Sequence, residues 1–235
     1  MAIALLGSGG TSAGVTSSDL TLSYSSHNGT YRKMIVICTT VADTATGKVA
    51  GVKYNNVSLD VVDLWGGGGD FYQMDTSTTY KNMHAYYLDD ADFPAAGAHN
   101  LVADVTASIL SIAMVVIELS GCEQGLPEFE TNDPGVSDEN LLQVETTLDN
   151  TWLISGQWVR KNVDVTPTSG QTIAQEINVT TANSLALTYH NISPADATAD
   201  SNYEYALTYS NFQVCFIVPP AIIPNRNSAI LSATF

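Results

Sequence analysis

The sequence predicts an all-β fold, namely a two-sheet antiparallel β-sandwich, a class in which the jelly roll is one topology. Apolar and polar residues alternate with period two in about a dozen short blocks separated by turn residues, and the 3.6-residue period of helices is nearly absent. Only 14% of the residues are charged, against about a quarter in a typical soluble protein. A weakly charged chain rich in Thr and Tyr suits the surfaces of strands.

The first half of the chain shows the strand pattern most clearly. Leu20 to Ser25 is a predicted strand, and Arg32 to Val41 is a second one that is apolar on both faces. A strand apolar on both faces is typical of one covered by two layers. Lys48 to Tyr54 and Val57 to Leu64 flank the pair Asn55-Asn56, which tolerates positive φ and therefore predicts a two-residue hairpin turn.

A predicted surface loop separates these strands from the next group. It runs from Trp65 through a tetraglycine sequence to Tyr80 and lacks any periodic pattern. Strands are predicted at Asn82 to Leu88 and at His99 to Thr106. Ile109 to Leu119 is the most apolar segment, and its β-branched residues favour a buried strand over a helix.

The second half begins with a predicted irregular connection, Glu123 to Asn140, which concentrates Pro, Gly and acidic residues. In the strand predicted at Thr151 to Val159, the side chains of Trp152, Ile154 and Trp158 share one face, which favours core positions over a ligand platform. The predicted strands of this half are Leu141 to Thr147, Thr151 to Val159, Gln171 to Thr180, Ser184 to His190, Tyr203 to Ser210 and Phe212 to Val218.

No shift in composition marks a domain boundary. We therefore expect an N-terminal extension at 1–19, one sandwich domain at 20–219 and a C-terminal tail at 220–235. The tail follows a Pro-Pro stop and is predicted to pack on a neighbouring subunit or on the capsid surface, with a cap over its own sandwich as the alternative. The predicted assembly contacts are Ile222, Ile223, Ile230, Leu231 and Phe235.

The charge balance excludes several partners. The 24 acidic residues outnumber the 8 basic ones and give a net charge of −16, which opposes binding to nucleic acid or to an acidic membrane surface. No apolar run reaches the 18 or so residues that a spanning helix requires. The first residues lack the basic start of a signal peptide, so export by the general route is not expected.

Catalytic and cofactor motifs are missing from the sequence, and we expect a protein that is not an enzyme and has no cofactor. The run Gly66-Gly67-Gly68-Gly69 is not followed by the lysine of a phosphate-binding loop. The four histidines have no metal-ligand spacing. Cys38, Cys122 and Cys215 are expected to be buried thiols, with a Cys38–Cys215 disulfide as the alternative.

Two side-chain groups leave alternatives open. Asp89, Asp90 and Asp92 form an acidic turn that is either solvated or a weak Ca²⁺ site, since Ca²⁺ takes several carboxylate oxygens. A set of tyrosines is either half-buried in strands or an aromatic surface for sugar or protein contact, and it comprises Tyr86, Tyr87, Tyr203, Tyr205 and Tyr209.

Several short motifs resemble a β-sandwich module of bacteriophage virion proteins and bacterial surface proteins. They are Arg32 at the start of its strand, Val49 to Leu59, Ala85 to Leu88, Pro94 to Gly97, Leu101 to Val105 and Leu119 to Gly121. The resemblance covers about Leu20 to Pro219 and concerns hairpin, turn and packing geometry.

The resemblance implies a structural protein of the virion. The expected roles are a capsid decoration or cement protein, or a head-fibre or tail component. Its expected partners are other virion proteins, either the major capsid protein or copies of itself. The alternative, supported by the sandwich fold and the Tyr and Trp content, is a glycan-binding receptor-recognition module.

Overall fold

The fold is nearly all strand, as the alternation pattern predicts. The structure is a computed structural model that describes residues 1–16, 18–64, 72–76, 79–168, 170–179 and 183–222. Across these ranges the only helical element is one 3₁₀ turn at Asp90–Asp92. All strand pairs are antiparallel, so the predicted antiparallel β-sandwich is confirmed.

The first half of the chain forms two facing sheets. Its strands are β1 (Ala4–Ala13), β2 (Leu20–Ser26), β3 (Lys33–Ala42), β4 (Val49–Tyr54), β5 (Val57–Ser58), β6 (Asp60–Val62), β7 (Tyr72–Thr76), β8 (Thr79–Asp89), β9 (Gly97–Val105) and β10 (Ser111–Ser120). The middle sheet has the order β1-β10-β3-β8, with β6 and β7 on successive parts of β8; the outer sheet has the order β2-β9-β4-β5. This interleaved order is that of a jelly roll.

The second half adds a third sheet on the other face of the middle sheet. Its strands are β11 (Glu128–Val144), β12 (Thr151–Val159), β13 (Thr166–Pro167), β14 (Thr172–Val179), β15 (Asn183–Ile192) and β16 (Ala199–Val218). This C-terminal sheet has the order β11-β16-β12-β15-β14, with β13 on β16. The sandwich therefore has three sheets where the sequence predicts two. A count of strands does not reveal how many layers they form, which is why the prediction fell short.

Strand β3 shows why three layers are stable. All ten of its residues are buried, as predicted for a strand covered on both sides. Its side chains alternate between two cores: Val36 shares one core with Tyr54 and Leu101 of the outer sheet, whereas Ile37 shares the other with Phe216 of the C-terminal sheet. Both faces of the middle sheet are thus removed from water, at roughly 25 cal/mol per Å² of apolar surface.

Strands β11 and β16 are long enough for one part to lie in the C-terminal sheet and the other part to pack over it. Residues 211–218 of β16 pair with β12 inside the C-terminal sheet. The earlier part of β16 instead lies over that sheet, because the Ser201 hydroxyl is 2.6 Å from that of Ser155 on β12, and Gln213 Nε2 donates to Ser201 O at 2.8 Å. The β11–β16 ribbon therefore bends and covers the far face of the C-terminal sheet.

Three predictions about connecting segments are wrong. Residues 1–19 are not an extension, because β1 pairs with β10 and forms the edge of the middle sheet. Residues 128–140 of the predicted irregular connection belong to β11, and residues 72–76 of the predicted loop form β7. These strands are edge strands or Gly-rich segments, so they lack the alternation that marks a half-buried strand. The tetraglycine Gly66–Gly69 lies outside the described residues.

The predicted hairpin at Asn55-Asn56 is confirmed. Both asparagines have positive φ, 50° and 66°, and Tyr54 pairs with Val57 across the turn. The strand predicted at 57–64 is split, however, because β5 belongs to the outer sheet and β6 to the middle sheet. The chain changes sheet at Leu59, whose amide still bonds Val52 O at 2.9 Å.

Candidate functional site

A cleft lies where the jelly roll meets the C-terminal sheet. We call it the junction cleft; its volume is about 260 Å³. Its apolar lining consists of Leu126, Pro127, Leu148, Ile217, Val218 and Pro219, and its acidic residues are Glu123, Glu128 and Glu145. Lys33, Gln124, Gly125, Thr147 and Thr151 complete the lining. A lining that combines apolar side chains with carboxylates suits binding of a partly apolar ligand with a positive charge.

The short connection 123–127 forms one wall of the junction cleft. The Glu123 amide donates to Pro219 O at 2.9 Å, which joins the connection to the end of β16. The Lys33 ammonium donates to Gly125 O at 2.6 Å, and Gln124 Nε2 donates to Arg32 O at 3.2 Å. These bonds hold the connection against the start of β3, so the wall is built on two rigid strands.

The acidic turn after β8 is adjacent to this wall. Asp89 Oδ1 lies 2.6 Å from Lys33 Nζ, and Asp90 Oδ1 lies 2.7 Å from Arg32 Nε. The Arg32 guanidinium also lies over the Phe93 ring, 4.3 Å from its centroid. The carboxylates of Asp89 and Asp90 therefore neutralise two cations at the start of β3, whereas Asp92 is exposed.

The candidate Ca²⁺ ligands are thus partly engaged by cations. A carboxylate that is paired with Lys or Arg must lose that partner before it can coordinate a metal ion. Within the described ranges, the structure places no three His, Cys, Asp or Glu side chains where they could hold a metal ion together. The acidic turn therefore stabilises the start of β3 through its ion pairs.

The C-terminal segment starts beside the junction cleft. Pro220 bridges to Cys122, the Ala221 amide donates to Gly121 O at 2.7 Å, and the Met1 ammonium donates to Ala221 O at 3.0 Å. Pro220 and Ala221 are therefore part of the folded body, and Ile222 is 73% exposed. The other predicted contacts, Ile223, Ile230, Leu231 and Phe235, lie outside the described residues.

A buried carboxylate elsewhere in the jelly roll was not predicted. Glu118 on β10 is fully buried and accepts hydrogen bonds from the Tyr24 hydroxyl at 3.2 Å and from the His27 amide at 3.1 Å. Its Oε2 also lies 3.1 Å from His27 Nδ1. Burial, followed by the charge of Glu118, raises the pKa of Tyr24, so its hydroxyl is a donor here. The sequence signal for this buried carboxylate is a glutamate within the otherwise apolar strand β10.

The three cysteines are free and buried, as predicted. Cys38 faces the core between the middle and outer sheets, whereas Cys215 faces the far side of the C-terminal sheet. Since the two side chains belong to different cores, the alternative Cys38–Cys215 disulfide is not formed. Burial raises the pKa of Cys122 to about 12 and that of Cys215 to about 11, which disfavours the reactive thiolate.

The histidines are distributed over four separate elements. His27 follows β2, His84 lies on β8, His99 on β9 and His190 on β15. The His99 ring bonds Ala95 O at 2.9 Å, and burial lowers the pKa of His190.

The aromatic side chains are mostly core residues. Tyr86, Tyr203 and Tyr205 are buried, and Tyr87 and Tyr209 are half-buried. On the predicted shared face of β12, Trp158 is buried, and Trp152 stacks on Tyr189 at 5.2 Å while packing against the same core. The prediction that the tryptophans are core residues is confirmed.

Comparisons with known proteins identify no relative, because no family model and no curated protein matches the chain. Throughout the described part of the chain, no helix has the length and apolar character needed to cross a bilayer.

Proposed function

We propose that this chain is a structural protein of a bacteriophage virion that acts through protein-protein contacts. The roles we consider are a capsid decoration or cement protein, or a head-fibre or tail component. The supporting observation is the junction cleft, a surface of mixed apolar and acidic side chains close to Ile222, which is exposed. The resemblance of residues 20–219 to virion sandwich modules supplies the setting.

The layered fold supports a mechanical role. Each of the two cores flanking the middle sheet is lined by buried side chains from both of its sheets, and such close-packed interiors have low compressibility. The net charge of −16 disfavours contact with a packaged genome, because like charges repel at short range. A rigid acidic subunit is suited to the outside of a particle.

The chemistry of the junction cleft favours binding over catalysis. Its one lysine, Lys33, is paired with Asp89, and the Thr151 hydroxyl donates to Leu148 O at 2.7 Å. A nucleophile needs an adjacent base to activate it, whereas the Thr151 hydroxyl donates to a backbone carbonyl and the Lys33 ammonium is held in an ion pair. We therefore propose that the chain carries out no chemical step.

A quantitative protein inventory of purified particles tests this proposal. The particles are those of the phage that encodes the chain, and the measurement is its copy number per major capsid protein by mass spectrometry. We expect a fixed, reproducible ratio that survives washing at high salt. Absence from the particles, together with a soluble monomer whose melting temperature rises with a host glycan, would instead support the receptor-recognition alternative.

A further inference from the structure

We propose that the junction cleft binds the C-terminal segment 222–235 of a second copy of this chain. The proposal rests on the proposed structural role, because it names the partner and the contact surface for it. Three features of the described residues support it: the lining of the cleft, its charge and the path of the chain beside it.

Part of the cleft lining is apolar, as is most of the segment. Leu126 is 60% exposed and Leu148 is 36% exposed, and both line the cleft, so they offer neighbouring apolar surface to a partner. A shallow groove continues from the cleft along Phe129 and Ile217. The segment offers apolar side chains of matching type at Ile222, Ile223, Ile230, Leu231 and Phe235.

The charges are complementary. Glu123, Glu128 and Glu145 line the cleft, and Lys33, the one cation among the described lining residues, is already paired with Asp89. Arg226 is the single charged side chain within 222–235. An arginine between glutamates can form charge-assisted, bidentate hydrogen bonds, so Arg226 would fix the register of the apolar residues on the cleft.

The path of the chain favours a second copy over the same chain. Val218 and Pro219 line the cleft, but Pro220, Ala221 and Ile222 do not. By Ala221 the chain is fastened to Gly121 and to Met1 outside the lining. The segment therefore starts beyond its own cleft. Reciprocal exchange between two copies is the closed, self-complementary arrangement that a two-fold axis produces.

The first test measures self-association of the full-length chain by sedimentation velocity. We expect Arg226→Glu to weaken association at least tenfold, since it places a negative charge among three glutamates. Adding Glu145→Arg to that variant should restore association by exchanging the charges. Arg160→Glu is the matched control, because Arg160 is exposed on a different part of the chain and the substitution changes the charge equally.

The second test identifies which chain fills the cleft. A photo-crosslinking amino acid at position 231 is introduced into a mixture of isotopically heavy and light full-length chains. Mixed heavy-light crosslinks to residues 126–128 or 148 are expected. Crosslinks within one chain only, crosslinks elsewhere, or association that Arg226→Glu leaves unchanged would overturn the inference.

The outcome is independent of the particle inventory. A chain that is present in particles but does not exchange its C-terminal segment contradicts this inference alone. A chain that exchanges the segment in solution but is absent from particles contradicts the proposed function alone.

Discussion

The ammonium nitrogen of Lys33 lies 2.6 Å from Oδ1 of Asp89, although the lysine is only 2% exposed. Asp89 also accepts a hydrogen bond from the amide of Gly125, and Lys33 donates to the carbonyl oxygen of the same glycine. One ion pair therefore joins the middle sheet to the connection that leads into the C-terminal sheet. This ion pair gives Asp89, and with it the acidic turn, a structural role.

Removing the Asp89 charge should destabilise the protein. Asp89→Asn leaves Lys33 buried without its counter-ion, so we expect the free energy of unfolding to fall by about 3 kcal/mol. Urea denaturation measures this. Asp92→Asn is the control, because Asp92 is exposed in the same turn, and its effect should stay within about 0.5 kcal/mol. Equal effects of the two variants would show that the ion pair is not what holds the junction.

Calcium should have little effect on stability. Asp89 and Asp90 are paired with Lys33 and Arg32, so binding of Ca²⁺ would have to break two ion pairs. We expect the melting temperature of chelator-treated protein to change by less than about 1 °C in millimolar Ca²⁺, since stabilisation by a ligand requires a concentration well above its Kd. A clear rise that Asp90→Asn abolishes would instead support the metal site.

The contact between β3 and β12 depends on a glycine. A Cβ added at Gly156 would clash with Ile37 Cδ1, so Gly156→Ala should cost about 1–3 kcal/mol by overpacking. Ile37→Val removes that methyl group, and the double variant should be more stable than the sum of the two single effects predicts. Gly51→Ala is the control, because a Cβ there has no neighbour within 4 Å. Additive effects would contradict the contact.

Lys81 should make stability depend on pH above neutrality. It is 1% exposed, and burial, with a smaller contribution from Arg160, lowers its pKa from 10.5 to about 8, while Asp133 acts in the opposite direction. Between these two values the unfolded chain binds more protons than the folded one, so stability rises with pH. Below pH 8 both states are protonated and the cost of burying the charge is constant.

Lys81→Met isolates this effect. The variant should be more stable than the parent at pH 7, and the difference should shrink as pH rises from 8 to about 10. Chemical denaturation at several pH values measures it, and comparison of the two proteins cancels the titration of other groups. A variant that is less stable at pH 7, or a difference that does not change with pH, would contradict the lowered pKa.

Sequence patterns predicted the parts of the fold in which a strand has one defined face or two buried faces. Alternation located β9 and β12, and continuous apolar runs located β3 and β10. The same signal failed for β1, where a side chain at Gly10 would lie 2.9 Å from the Gln175 side chain of β14. The two sheets approach closely at this point, which requires glycine. Because glycine has no side chain, it interrupts the apolar-polar alternation by which strands are recognised.

The candidate site was harder to predict than the fold. The lining of the junction cleft comes from residue 33, residues 123–128, residues 145–151 and residues 217–219, which are distant in sequence and meet only through the stacking of two sheets. Its acidic neighbour Asp89 was visible in the sequence, but its partner Lys33 was not, because pairing depends on the register of β3 and β8. Because β3 is buried on both faces, its apolar pattern does not specify which register places Lys33 opposite Asp89.

A reconstruction of the purified particle by electron cryomicroscopy tests the central proposal most directly. The account predicts density for the three-sheet sandwich at symmetry-related positions on the virion, with the segment after Ala221 extending onto a neighbouring subunit. Particles that contain no such density, obtained under conditions in which the chain is expressed and folded, would contradict a structural role in the virion.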